Sequence, residues 1–375
     1  MGRNENISGS FILVFFIAAF GISAFNMWQI RGEVERRTPA SDIIKGQWAS
    51  MYENIYNENV STFDLSKNIW GVINYALYEE GMQGVLIGDD GWLFTSEEFE
   101  YQENYRENFK INTDFIIKVA QHFEDNNINL VIAPVPAKSR VYENNLGRYN
   151  FPAYKDDIYA SFVQKMENRN IIVADVLPKM LQKDQNAKHP ALFLKTDTHW
   201  TPQGAKLSAQ YIAKTIQKNF ADKNFEEKKF AIQKVDSKKL EGDLTRYIPV
   251  EMFQNIKAEN IAVYETAAMQ DDAKDGADMS SMLFDDSTPE IALVGTSYSA
   301  DENWNFEGFL KASLKIDILN AADKGLGPFE TMLQYLDNKA FKENPPKLVI
   351  WEIPERYLTF SYPQLGTTEF NQRMI

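Results

Sequence analysis

The sequence predicts an α/β domain built on a mostly parallel sheet with helices on both faces, preceded by one N-terminal transmembrane helix. Three observations carry that prediction. Five short runs are continuously apolar, amphipathic helical patterns fall between them, and one longer apolar stretch near the N-terminus holds no charge. Strands buried on both faces lose the alternation of a half-exposed sheet, and their alternation with helices is what parallel crossovers require.

Residues 9–30 read GSFILVFFIAAFGISAFNMWQI, and residues 10–28 are uncharged. At about 1.5 Å per residue, a helix of this length crosses a hydrocarbon core roughly 30 Å thick. Trp28 falls where an interfacial aromatic sits, and Arg31, Arg36 and Arg37 follow it. The run is long and ends without a small-x-small cleavage site. That favours an uncleaved signal-anchor over residues 1–31 above a cleaved signal peptide or a buried soluble helix. Positive charge flanks both ends, so charge bias leaves the orientation open. The large domain lies C-terminal to the span, and this places it in the periplasm, tethered to the cell inner membrane. Residues 32–84 read as a polar, helix-compatible stalk or packing region, and residues 85–375 as the main domain.

Within that domain, residues 85–94 (VLIGDDGWLF) are two apolar runs about a D-D-G turn, a hairpin pattern. Residues 111–124 carry Phe115, Ile116, Val119 and Phe123 at helical spacing. Residues 129–136 (NLVIAPVP) and 171–176 (IIVADV) are the first two buried strands. Pro202 opens a helix running to residue 220, with Leu207, Tyr211, Ile212 and Ile216 on one side. A Lys- and Asp-rich stretch follows. Residues 290–295 (EIALVG), 314–319 (LKIDIL) and 347–352 (KLVIWE) are the remaining strands, with a helical pattern over 331–336 before the last. Ligands of such sheets gather beyond the carboxyl ends of the strands.

Composition narrows the chemistry. A net charge of −14 disfavours nucleic-acid binding, which needs clustered Lys and Arg. With no cysteine, thiol nucleophiles, disulfides, Cys-based zinc sites and iron–sulfur clusters are all excluded. The 25 Phe, 17 Tyr and 7 Trp supply core and also suit flat ligands such as sugar rings.

Two motifs carry reactive groups. In Asp197-Thr198-His199-Trp200, a spacing of two in extended backbone puts the carboxylate and the imidazole on one side. A carboxylate so placed fixes the imidazole tautomer and stabilises its protonated form. Of three histidines, His122 lies on an amphipathic helix and His189 in a polar loop, so only His199 has such a partner. Gly295-Thr296-Ser297-Tyr298-Ser299 leaves a buried strand by a Gly-x-Ser turn, which lifts a hydroxyl above the sheet edge beside backbone N–H groups. Ser297 is the expected nucleophile and Ser299 the alternative. A catalytic zinc needs three protein ligands, and neither remaining histidine lies in a matching carboxylate pattern, so no metal and no cofactor is expected. Glu352, Glu355, Arg356 and Tyr357 cluster after the last strand, where they bind a polar ligand or tie two loops together. Lys138 and Arg140, after the strand ending at Pro136, are basic groups at the same face or salt-bridge partners. Trp200 and Asn303 join Arg140, Arg356 and Tyr357 as candidate substrate contacts.

The D-G-W-L-F hairpin, D-T-H-W-T-P, G-T-S-Y-S and W-E-I-P-E-R-Y-L, in this order, resemble the alginate O-acetyltransferase family, the AlgJ and AlgX proteins. The resemblance implies an SGNH-hydrolase-like fold in which the D-x-H precedes the serine. It implies Asp197 as orienting acid, His199 as general base and Ser297 as the acyl-accepting nucleophile. Members of the AlgX type continue into a carbohydrate-binding module; this chain stops about 17 residues after Leu358 and so is more similar to the anchored AlgJ type. It further implies an exopolysaccharide acceptor and an acetyl source in a membrane-bound O-acyltransferase (MBOAT) partner. A polysaccharide acetylesterase with the same triad, and a non-catalytic component of an export complex, are the rival functions.

Overall fold

The computed structural model describes residues 83–184, 191–248, 258–269 and 289–366, together with helical turns between residues 17 and 32. The chain divides into two units, Met1–Glu79 and Glu80–Ile375. In the first, residues 20–22 and 24–28 are helical, and Phe20, Phe25 and Trp28 are exposed. Among the described residues no helix is long and apolar enough to cross a membrane. The expected span falls largely, and the expected stalk almost wholly, outside them.

The second unit is built on five parallel strands: β3 (Asn129–Val135), β4 (Ile172–Val173), β7 (Ile291–Val294), β8 (Ile318–Asn320) and β9 (Leu348–Pro354). Their order is β4-β3-β9-β7-β8. β9, last in sequence, sits at the centre, with Asn129 and Ile291 both in register with Leu348. Strand residues alternate between two cores. Val131, Ala133, Leu293 and Ile350 face one, shared with α5 (Pro202–Asn219) and α7 (Phe306–Leu314). Ile132, Val294, Val349 and Trp351 face the other, shared with α1 (Tyr105–Asp125), α3 (Ile158–Glu167) and α8 (Gly327–Asp337). Helices on both faces explain why the strands read as unbroken apolar runs. The predicted hairpin is present as β1 (Val85–Ile87) and β2 (Leu93–Thr95).

Three local readings change. Residues 314–319 are not one strand: Leu314 closes α7, and Lys315, at φ 58°, ends that helix before β8 begins at Ile318. At 171–176 only Ile172 and Val173 pair with β3, at the sheet edge. The Lys- and Asp-rich stretch is a long antiparallel ribbon, β5 (Phe230–Leu240) and β6 (Glu259–Ala268), outside the main sheet. Most of β5 is exposed, so it lacks the apolar periodicity that reveals a strand.

Candidate active site

Ser297 opens a short helix, α6 (Ser297–Ala300), directly after β7. Gly295 makes the turn possible by close approach: a Cβ there would lie 2.5 Å from the Glu352 Oε2. Glu352 is fully buried and accepts from the Thr296 N–H at 2.7 Å and hydroxyl at 3.0 Å, and from the Ser299 hydroxyl at 3.1 Å. Burial pushes its carboxyl up to about 7, against the opposing pull of those hydrogen bonds and of Arg356. Ser299 is therefore committed to the turn beneath the site.

Asp197 and His199 lie on a closed loop: Phe193 bridges Trp200, Leu194 N–H donates to the His199 carbonyl at 3.1 Å, and Thr201 N–H to the Leu192 carbonyl at 2.8 Å. The backbone there is bent, not extended as the spacing suggested. Asp197 faces His199 through an Asx-type turn, its Oδ1 accepting from the His199 backbone N–H at 2.9 Å. The same oxygen lies 2.6 Å from the imidazole Nδ1, and Nε2 lies 2.7 Å from the Ser297 Oγ. Burial raises the Asp197 carboxyl. The hydrogen bond and charge of His199, with the backbone N–H groups of His199 and Asp243, outweigh it, so the carboxyl sits below its ordinary range. The ring of Trp304 stacks on His199 at 5.4 Å, and Tyr298 packs against it at 4.9 Å while donating its hydroxyl to the Thr198 carbonyl at 2.6 Å.

Below the loop, Lys138 is 1% exposed, and its ammonium donates to the carbonyls of Leu93 (2.6 Å), Lys195 (3.0 Å) and Asp197 (2.9 Å). Burial draws its pKa down to about 8, despite nearby carboxylates that oppose this. The β1–β2 hairpin is thus joined to the histidine loop by one buried cation.

The candidate substrate contacts are placed less directly. The Arg140 guanidinium holds Glu355 (2.6 Å) and the carbonyls of Lys155 and Asp156, so it ties two loops together. Trp200 is 1% exposed and packs on Tyr298 and Phe306, in the core beneath the site rather than facing it. Asn303 accepts from the Lys238 ammonium. Arg356 is nearly buried, pairs with Glu97 at 3.2 Å and lies over the rings of Tyr298 and Tyr357. Sequence reasoning missed Asp243 and Glu259. Asp243 accepts from the Thr198 N–H (2.8 Å) and hydroxyl (2.6 Å), and Glu259 from the Thr196 N–H (2.9 Å) and hydroxyl (3.0 Å). Potential ligand atoms of Asp197, His199 and Asp243 all lie within 4.8 Å of one another, spacing that could also hold a cation. In this structure the three residues are hydrogen-bonded to one another and to Thr198.

Residues 85–355 match the model of the ALGX family, described as the SGNH hydrolase-like domain of the acetyltransferase AlgX. The chain belongs to this family. It is similar to the probable alginate O-acetylase AlgJ of Pseudomonas syringae pv. tomato, at 35% identity over 93% of this chain and 87% of that one. The AlgJ of Pseudomonas aeruginosa is 34% identical over 92% and 88%. Among solved structures, the O-acetyltransferase domain of Pseudomonas putida AlgJ superposes with a TM-score of 0.67 at 32% identity, over 78% of this chain and 98% of that domain. Pseudomonas aeruginosa AlgX gives 0.59 at 26% identity, over 77% and 66%. The protein is an SGNH-hydrolase-like acetyltransferase of the ALGX family.

Proposed function

We propose that this enzyme moves acetyl groups onto hydroxyls of an alginate-like exopolysaccharide through an acyl-serine intermediate on Ser297. The carrying observation is the relay Ser297 Oγ–His199 Nε2–Asp197 at 2.7 and 2.6 Å, at the carboxyl edge of the sheet. Nε2 takes the Ser297 proton as Oγ bonds to the acetyl carbon, then returns it to the departing donor group. A sugar hydroxyl next gives its proton to Nε2 and attacks the acetyl-serine, and the proton returns to the Ser297 Oγ as the ester leaves. The Ser297 N–H, first of a helix whose initial N–H groups find no intrahelical partner, is suited to hold the oxyanion. The AlgJ relatives, described as alginate O-acetylases over nearly their whole length, support alginate or a similar polymer as acceptor.

The uncharged stretch over residues 10–28 and its exposed aromatics support an N-terminal anchor over residues 1–31, followed by a stalk over 32–84. On this reading the domain over 85–375 works in the periplasm at the inner membrane, where an MBOAT protein would deliver acetyl groups. The test is full-length protein in detergent, an acetyl ester donor and defined uronate oligosaccharides, read by mass spectrometry. Sugar acetylation that disappears in Ser297→Ala and persists in Ser299→Ala is expected. Release of acetate with no sugar adduct at any acceptor length would instead make the enzyme an esterase, and Ser297→Ala with full turnover would remove the acyl-serine.

A further inference from the structure

We propose that Asp243, at the tip of the β5–β6 ribbon, is a positioning residue that reinforces Asp197 in holding the reactive tautomer of His199, by way of the Thr198 hydroxyl. This rests on the Ser297–His199–Asp197 relay proposed above. The ribbon tip grips the histidine loop at successive residues. Glu259 holds Thr196, the Asp243 N–H donates to Asp197 Oδ2 at 2.9 Å, and Leu244 N–H donates to the Thr196 carbonyl at 3.2 Å. At Gly242 a Cβ would lie 2.0 Å from that carbonyl, so only glycine lets the tip come this close.

Asp243 is not itself the orienting acid. Its Oδ2 stands 4.0 Å from Nδ1, against 2.6 Å for Asp197. It acts on the group between. The Thr198 hydroxyl lies 3.3 Å from Nδ1 and 2.6 Å from Asp243 Oδ2. A carboxylate only accepts, so the hydroxyl hydrogen is drawn to Asp243, and Thr198 offers Nδ1 a lone pair. Nδ1 then faces two acceptors, Asp197 and Thr198, and must carry the proton, which leaves Nε2 bare toward Ser297. Without Asp243 the hydroxyl is free to donate to Nδ1. That competes with Asp197 for Nδ1 and raises the share of the tautomer protonated at Nε2, which cannot take the serine proton.

The prediction has a signature that loss of fold would not produce. In full-length protein hydrolysing 4-nitrophenyl acetate, Asp243→Ala lowers kcat by about 10- to 100-fold, part of what a positioned base contributes, while KM stays near wild type and unfolding stays cooperative. Inactivation by phenylmethylsulfonyl fluoride slows in proportion. Asp243→Asn keeps only one of the two acceptor oxygens that the Thr198 N–H and hydroxyl use, and its kcat falls between wild type and Asp243→Ala. Adding Thr198→Val to Asp243→Ala removes the misdirected donor and raises kcat again. Full kcat in Asp243→Ala, or no recovery in the double variant, overturns the assignment while Ser297→Ala stays inactive. Turnover by Ser297→Ala would instead overturn the relay, and this inference with it.

Discussion

Replacing Glu352 by Gln tests the most unusual electrostatic feature beneath Ser297. The carboxyl is wholly buried, and its oxygens are satisfied by Thr296 and Ser299 alone among the hydrogen bonds described. Its pKa moves from 4.5 when solvated to about 7 in the fold, a difference of about 3 kcal/mol in proton affinity. The folded protein therefore holds a proton here, between those two values, that the unfolded chain has released. The associated stabilisation is fully present below pH 4.5 and is lost as pH rises through about 7. Glutamine carries no charge at any pH and keeps an acceptor for the Thr296 N–H. Urea unfolding of both proteins at pH 5 and pH 8 reads the effect. The variant should gain on the wild type by about 2–3 kcal/mol between the two conditions. An unchanged difference would mean that this carboxyl does not titrate across that range, and the burial argument would fail.

Two further outcomes follow from the same geometry. Lys138→Met removes a donor from three carbonyls, of which that of Lys195 keeps the Leu93 N–H; with unmet buried groups costing about 1–3 kcal/mol each, stability should fall by roughly 2 kcal/mol or more in urea unfolding. The same change should lower kcat, because one of those carbonyls belongs to Asp197. Gly295→Ala drives a methyl against Glu352 and should lower both Tm and kcat; wild-type values for both would show that the turn can widen without moving Ser297.

The residues that the structure brings together at the candidate site were legible because each lies on a local pattern. A D-x-H loop and a Gly-x-Ser turn at a strand end are properties of five or six consecutive residues. The sheet was legible for the same reason, since strands buried on both faces write unbroken apolar runs. What stayed hidden is what distant segments do to these motifs. Asp243 reaches Thr198 from 45 residues away, on a ribbon whose exposed, charged strands show no hydrophobic period. Glu352 closes the last predicted strand, but nothing in its neighbours shows that it lies under the serine turn leaving the adjacent strand. Trp200 adjoins His199 in sequence, but the loop turns its indole into the core. Adjacency in sequence says little about which side of a bent loop a side chain takes.

The central place of β9 has a consequence for the order of events in synthesis. The histidine loop follows β4 and the serine turn follows β7, and these strands lie on opposite sides of β9. The register that joins the halves, Asn129 and Ile291 to Leu348, spans 219 residues on the longer side. Pairings so remote form slowly, since chain closure precedes the contacts that reward it. Contacts that join the halves without β9, among them the Tyr298 hydroxyl on the Thr198 carbonyl and α5 against α7, lie earlier in the chain, and the shared strand comes last. The sheet that fixes the 2.7 Å separation of the Ser297 Oγ and the His199 Nε2 is thus closed by the last of its strands to be made.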